Sequence, residues 1–359
     1  MEISIISERL IDMSDMNNTR LTTKNGKFKL LMVSDFHAGD RINPKLIKGF
    51  EALLDYTEPD AVFLGGDNLC VNHSTVTEKE FRYLLSVILE PVESRGIPWF
   101  HCYGNHDAEG GFSNEFQQSV YETFPYCITE AGPEDVSGVG NYVKTIYSSA
   151  TGEPVFNLWT MDSHSENTVM AEKFGLKGSD SCIRMPNPLG GFNSSHSSVY
   201  FDQVYWYYNK SLEMEKELGK KIPGLLFLHV PPMEMNLIWA NPEETGMIGS
   251  KRQEIYGASI NSGLLMACLQ RGDVKGIYAG HEHLCNFEGT YCGIKLGYDS
   301  SLGFNMSAHD DLRGGRLFEI NEDGSWSTRH IKLIELMGKE AMRNPEFLEG
   351  GDLYNIRTL

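Results

Sequence analysis

Residues 28–37 read FKLLMVSDFH. The mostly apolar run from Phe28 to Val33 stops at Ser34-Asp35, which predicts a buried strand ending in a polar turn. Working outward, Asn43-Pro44 supplies a cap and a proline at the first helical position, so a helix is expected through Leu54. AVFL at 61–64 predicts a second strand, ending at Gly65-Gly66-Asp67. Thr77 and Glu80 form a capping box ahead of FRYLLSVILE, a second helix. Pro98 to Tyr103 predicts a third strand, ending at Gly104-Asn105. The β-α-β-α-β order predicts parallel strands with helices on their faces, an α/β protein.

Further along, Tyr142–Tyr147 and Val155–Met161 read as an antiparallel pair. A helix is expected over Val199–Leu218, with Val199, Val204, Tyr205, Tyr208 and Leu212 on one face. Leu225–Leu228 predicts a strand ending at His229. Ile260–Leu269 reads as a helix, and Val274–Tyr278 as a strand ending at Gly280-His281. Short strands follow near Ile294–Tyr298, Arg316–Ile320 and Ser325–Ile334, with a turn at Asn321–Gly324. The organisation expected is an N-terminal segment 1–28, one domain over 29–335 and a tail 336–359. Residues 163–197 and 231–258 read as irregular insertions in that domain.

Composition narrows the function. A hydrophobic share of 41% in 359 residues fills a sizeable core and excludes a disordered chain. The net charge of −18, with no basic run, argues against a nucleic-acid partner. The seven cysteines form no CxxC and are expected as reduced thiols. No apolar run is long enough to span a bilayer and MEISIISERL lacks a leader pattern, so a cytoplasmic protein is expected. Assembly state is left open.

Five predicted strands end in residues of one chemical kind. They are Asp35 and His37, Asp67, Asn105-His106-Asp107, His229, and His281 and His283. Carboxyl ends of parallel strands share one edge, where ligands bind. Carboxylate, imidazole and amide oxygen together suit divalent Mn, Fe or Zn, and the donors outnumber what one ion uses. Two divalent ions balanced by Asp35, Asp67 and a hydroxide leave about +1, an attractive pocket for a phosphoryl group.

These motifs, D-x-H, G-D-N, G-N-H-D, a lone His after an apolar strand and G-H-x-H, resemble the calcineurin-like metallophosphoesterases over roughly residues 29–334. GVGNY at 138–142, DQVYWYYNKS at 202–211, NSGLL at 261–265, GDVKGIYAGHEH at 272–283 and GRLFEI at 315–320 resemble one subgroup. It holds the short purple-acid-phosphatase-related proteins of plants and yeast cell-cycle phosphatases. The resemblance implies a β-sandwich flanked by helices, with metals at the strand C-terminal edge. It implies one metal on Asp35, His37, Asp67 and His283, and a second on Asp67 as bridge, Asn105, His229 and His281. It also implies that His106 protonates the leaving oxygen, oriented by Asp107, while a hydroxide between the metals attacks phosphorus. The expected function is hydrolysis of a small phosphorylated substrate, as a phosphomonoesterase before a phosphodiesterase. A non-catalytic interaction protein on this fold, and a metallohydrolase of another bond, are the alternatives. Cys70 stands where purple acid phosphatases carry a metal-bound tyrosine, and GGDNLCVN lacks the arginine of protein Ser/Thr phosphatases.

Other residues read as structural. Cys285 is expected as a buried thiol, Trp206, Tyr207 and Tyr208 as core, and His164 as structural. Arg184, Lys251 and Arg252 are expected as solvated cations, and Glu282 as turned away from its His neighbours, either packed behind them or facing solvent.

Overall fold

The computed structural model describes residues 20–165, 196–257, 260–305 and 308–342. Its strands are β1 (Leu21–Thr22), β2 (Lys27–Val33), β3 (Ala61–Leu64), β4 (Trp99–His101), β5 (Tyr142–Tyr147), β6 (Pro154–Thr160), β7 (Gly224–Leu228), β8 (Val274–Ala279), β9 (Glu288–Tyr291), β10 (Ile294–Tyr298), β11 (Gly314–Asn321) and β12 (Trp326–Lys332). They form one sheet in the order β1-β5-β6-β7-β8-β10-β9 and another in the order β12-β11-β2-β3-β4. β2, β3 and β4 are mutually parallel, as are β6, β7, β8 and β10.

Alternation along each strand makes the layers. In β2, Leu30 and Met32 enter a cluster between the sheets, while Leu31 and Val33 enter a cluster on the outer face. β7 divides likewise, with Leu225 and Phe227 inward and Leu226 and Leu228 outward. The ring centroids of Phe63 and Phe227 meet across the sandwich at 4.7 Å, as do those of Tyr278 and Phe318. Each such ring contributes about 1.5–3 kcal/mol by burial. This is the two-sheet sandwich that the resemblance implied. The strand pattern alone reached only a three-layer α/β protein, because a strand buried on both faces does not say whether helix or sheet covers it.

Helices α1 (Pro44–Thr57) and α2 (Glu78–Glu93) cover the five-stranded sheet. Asn43 caps α1 through Lys45 N, and the Thr77–Glu80 capping box starts α2 as read from sequence. Next come α3 (Asn114–Tyr121), α4 (Phe201–Leu218), α5 (Met235–Ala240), α6 (Pro242–Thr245) and α7 (Leu264–Arg271). α4, α5 and α7 pack on the seven-stranded sheet. Segment 231–257 is therefore not wholly irregular. α8 (Leu333–Met337) and α9 (Lys339–Met342) follow β12, where strand was expected to continue to Ile334. Leu21–Thr22 pairs with β5, so the sheet takes in residues before position 29.

The expected face of α4 is corrected. Gln203, Val204, Tyr207 and Ser211 are buried, whereas Tyr205 and Leu212 are 61% and 41% exposed. Buried Asp273 decides this, because its carboxylate accepts from Tyr207 Oη and Ser211 Oγ, both at 2.5 Å. Polar anchoring outweighs the simple apolar count.

Cys70, Cys102, Cys127, Cys268, Cys285 and Cys292 are free thiols, and Cys182 lies outside the described residues. No helix among the described residues is long and apolar enough to cross a membrane.

Candidate metal centre

The parallel strand ends of both sheets meet at one edge. A bridge from Ser34 to Ser301 joins the end of β2 to the end of β10, and Asp35 N donates to Gly66 O. Four site residues hold left-handed backbone: Asp35 (φ 54°), His37 (φ 43°), Asp67 (φ 52°) and His281 (φ 71°). Such conformations cost of order 1–3 kcal/mol each and cluster at functional sites. Glycine lets the loops close up. A Cβ on Gly104 would fall 2.1 Å from Asp67 Oδ1, and one on Gly66 2.6 Å from His229 Nδ1.

Two groups of donors result, Asp35 with His37 and His283, and Asp67 with His229 and His281. Each aspartate anchors one oxygen and aims the other inward. Asp35 Oδ2 accepts from Ser34 Oγ (2.5 Å) and His281 N (3.0 Å), and Asp67 Oδ1 accepts from His106 N (2.8 Å). The inward Asp35 Oδ1 lies 3.3 Å from His283 Nε2. The inward Asp67 Oδ2 lies 3.1 Å from His229 Nε2 and 3.4 Å from His37 Nε2, so it faces both groups. Asp35 Oδ1, Asp67 Oδ2, His229 Nε2 and both side-chain polar atoms of Asn105 are buried without a hydrogen-bond partner. Orphaned buried donors and acceptors are costly, and a pair of divalent cations answers all of them except the Asn105 amide nitrogen. The residues therefore fit two metal ions.

Outer contacts orient the imidazoles. His229 Nδ1 donates to Gly65 O (2.7 Å), which leaves Nε2 facing Asp67. Cys70 Sγ sits 3.5 Å from His37 Nδ1. His281 Nε2 donates to Tyr256 O at 3.0 Å. Burial acts to raise both aspartates, but the surrounding histidines, His229 first, outweigh it and hold both below the ordinary carboxylate range. Burial, with His229 and His196 beside it, keeps the His281 imidazole well below its ordinary value. Burial also pushes the Cys70 thiol well up, with Asp67 and Asp107 adding to it.

The structure places His106 at the mouth, its side chain 35% exposed and its ring 5.3 Å from that of His37. The expectation that Asp107 orients it is corrected. The buried Asp107 carboxylate accepts from Asp67 N (2.9 Å), Asn68 N (2.9 Å) and Gly104 N (2.7 Å), bracing the two loops that carry Asp67 and Asn105. Burial and the nearby Asp67 raise Asp107 to about 6. A short carboxylate next to His106 satisfies its own loop, and Glu109 reaches His106 Nδ1 instead, at 2.6 Å. Replacing Asp107 with alanine is expected to strand three buried N–H groups and cost about 3 kcal/mol or more. A denaturant melt checks it, and a loss under about 1 kcal/mol contradicts the bracing role.

Other expectations resolve as follows. Cys285 is buried, and Tyr207 is buried with Trp206 and Tyr208 packed beside it. His164 stacks on Tyr200 at 3.9 Å and bonds Gln203. Arg252 donates two parallel hydrogen bonds to the Asp311 carboxylate (2.8 and 2.6 Å), and Lys251 lies 3.6 Å from Glu254. Arg184 and residues 166–195 of the first insertion lie outside the described residues. Glu282 is fully buried, and burial pushes it up to about 8. The sequence reading missed Glu109, Tyr256 and His196, whose ring lies edge-on to His281 at 4.4 Å. Only Glu109 left a signal, three positions after His106 in one turn.

The half-buried Cys70 thiol is no phenolate. Protein loaded with iron is expected to show no intense visible charge-transfer band, and an absorption spectrum with such a band contradicts this.

Comparisons with known proteins agree with the geometry. A model of the family "Calcineurin-like phosphoesterase" matches residues 28–285. The chain is 26% identical over 314 residues to "Probable inactive purple acid phosphatase 14" of Arabidopsis thaliana, covering 78% of this chain and 72% of that protein. It is 27% identical over 293 residues to "Phosphatase DCR2" of Saccharomyces cerevisiae, covering 75% of this chain but 46% of that protein. The solved structure of a dimetal phosphatase from Danio rerio shares the fold, with a TM-score of 0.52 at 12% identity, covering 84% of this chain and 98% of that one.

Proposed function

The chain belongs to the calcineurin-like phosphoesterases, and from that premise we propose that it hydrolyses small phosphorylated compounds at a dinuclear metal site, monoesters before diesters. One observation carries the reading. Two three-residue donor groups sit together with Asp67 Oδ2 facing both, and a partly exposed His106 stands at their mouth. Asp35, His37, Asp67 and His283 would hold one ion, and Asp67, Asn105, His229 and His281 the other.

When bound, two divalent ions stabilise charge on phosphoryl oxygens and make water nucleophilic at neutral pH. The protein's own residues supply the rest. Asp67 sets the spacing between the two groups through its inward oxygen. His106 gives a proton from Nε2 to the leaving oxygen, and Glu109 on Nδ1 fixes the ring. The His106 backbone N–H stays on Asp67 Oδ1, which couples the acid to the metal-binding loop.

The names of three plant relatives call them probably inactive, which favours the non-catalytic alternative. Every donor position being filled favours hydrolysis. A panel of phosphomonoesters and diesters with Mn²⁺, Zn²⁺ or Fe²⁺ decides. Turnover that chelation abolishes and that favours monoesters is expected. Turnover on diesters alone contradicts the monoester preference, and no turnover on any ester leaves the non-catalytic reading or hydrolysis of another bond.

A further inference from the structure

Glu282 sits between the two ligands of the GHEH turn and is fully buried. Its carboxylate accepts from the Gln253 side-chain amide and from the Tyr256 backbone N–H. Both donors belong to segment 231–257, which leaves β7 after His229 and returns across the ligand turn. The segment is laced to that turn. Asn286 N donates to Ser250 O (3.0 Å), Arg252 N to Leu284 O (2.9 Å), and Leu284 N to Gln253 Oε1 (3.1 Å). Tyr256 therefore gives its N–H to Glu282 while its carbonyl accepts from His281 Nε2 at 3.0 Å.

We propose that Glu282 is a positioning residue that holds the Tyr256 peptide on His281 Nε2, so that His281 keeps its proton there and presents Nδ1 to the second metal group. An imidazole binds metal through its unprotonated nitrogen, and the partner of the other nitrogen selects the tautomer. His229 has the same arrangement, with Gly65 O as its partner. The difference is what supplies the carbonyl. For His229 it is the loop after β3, within the donor framework itself. For His281 it is a segment that lies outside the donor set and depends on a buried carboxylate for its seat. Conformation in segment 231–257 is thereby coupled to the second metal group through the ring of His281.

The inference rests on the dinuclear reading. Calorimetric titration of the metal-free full chain with Zn²⁺ separates the two, using wild type, Glu282→Gln, Glu282→Ala and Gln253→Ala. Wild type is expected to take two equivalents. If it takes one, the dinuclear reading fails. Both Glu282 variants are expected to keep the tighter or weaker equivalent that belongs to Asp35, His37 and His283, and to bind the other about 10–100-fold more weakly. Gln253→Ala, which removes a donor to Glu282 without altering the ligand turn's own sequence, should shift the same equivalent in the same direction and guards against misfolding at position 282. Nitrogen NMR of His281 should show the Nε2–H tautomer in wild type and a mixed population in Glu282→Ala. On a His281→Ala background the Glu282→Ala effect should vanish. Two equivalents of wild-type affinity in all three variants, equal weakening of both equivalents, or an unchanged His281 tautomer would overturn the proposal.

Discussion

Asp67→Ala is expected to strip the protein of both metals and reduce hydrolysis to background. Its Oδ2 is the inward oxygen that faces both histidine groups, at 3.1 Å from His229 and 3.4 Å from His37. Its removal leaves one group with Asp35, His37 and His283, and reduces the other to histidines and Asn105. The second oxygen also leaves His106 N without its acceptor. Alanine is strained at φ 52°, so Asp67→Asn serves as the control, since asparagine tolerates left-handed backbone. The asparagine variant should fold normally and still lose metal, because it lacks the charge. Elemental analysis of loaded, desalted protein reads the result. Wild-type metal content in Asp67→Ala would remove the shared-ligand account.

His106→Ala should do the opposite, keeping metal and losing chemistry. The contact to Asp67 is made by the His106 backbone, which the substitution leaves in place. Turnover of an alkyl phosphate is expected to fall by ~10²–10⁴-fold, the usual contribution of proton transfer to a poor leaving group. The fall should be smaller for a nitrophenyl phosphate, whose leaving group needs less protonation. Glu109→Gln should move both substrates in the same direction by less, since it weakens the hold on Nδ1 without removing the acid. Steady-state rates on the two esters check this. Equal losses on both would leave His106 as a phosphate-positioning group, and loss of metal would make it a ligand.

The donor set was legible because each donor follows a recognisable apolar strand, and parallel strands bring their carboxyl ends to one edge. Asp35, His37, Asp67, Asn105, His229, His281 and His283 all announce themselves by this position. What joins them through space does not. Asp107 was read as the partner of its neighbour, yet three backbone N–H groups from two loops claim it. The carbonyl of Tyr256 carries no side-chain signature, so its place on His281 is invisible in the letters. The same limit appears in the fold. β9, with the sequence EGTY, is too short and polar to read as a strand, and it forms because β10 pairs with it. The buried face of α4 follows Asp273, which lies 62 residues after Ser211. The second sheet over the first was implied only by family resemblance, because β2 and β7 are apolar on both faces.

The account stands most directly on the number of metal ions the wild-type protein holds. Elemental analysis of the full chain, loaded with excess Mn²⁺ and then desalted, is expected to approach two equivalents per chain. A wild-type protein that never exceeds one equivalent, whichever of Mn²⁺, Zn²⁺ or Fe²⁺ is supplied, would contradict it.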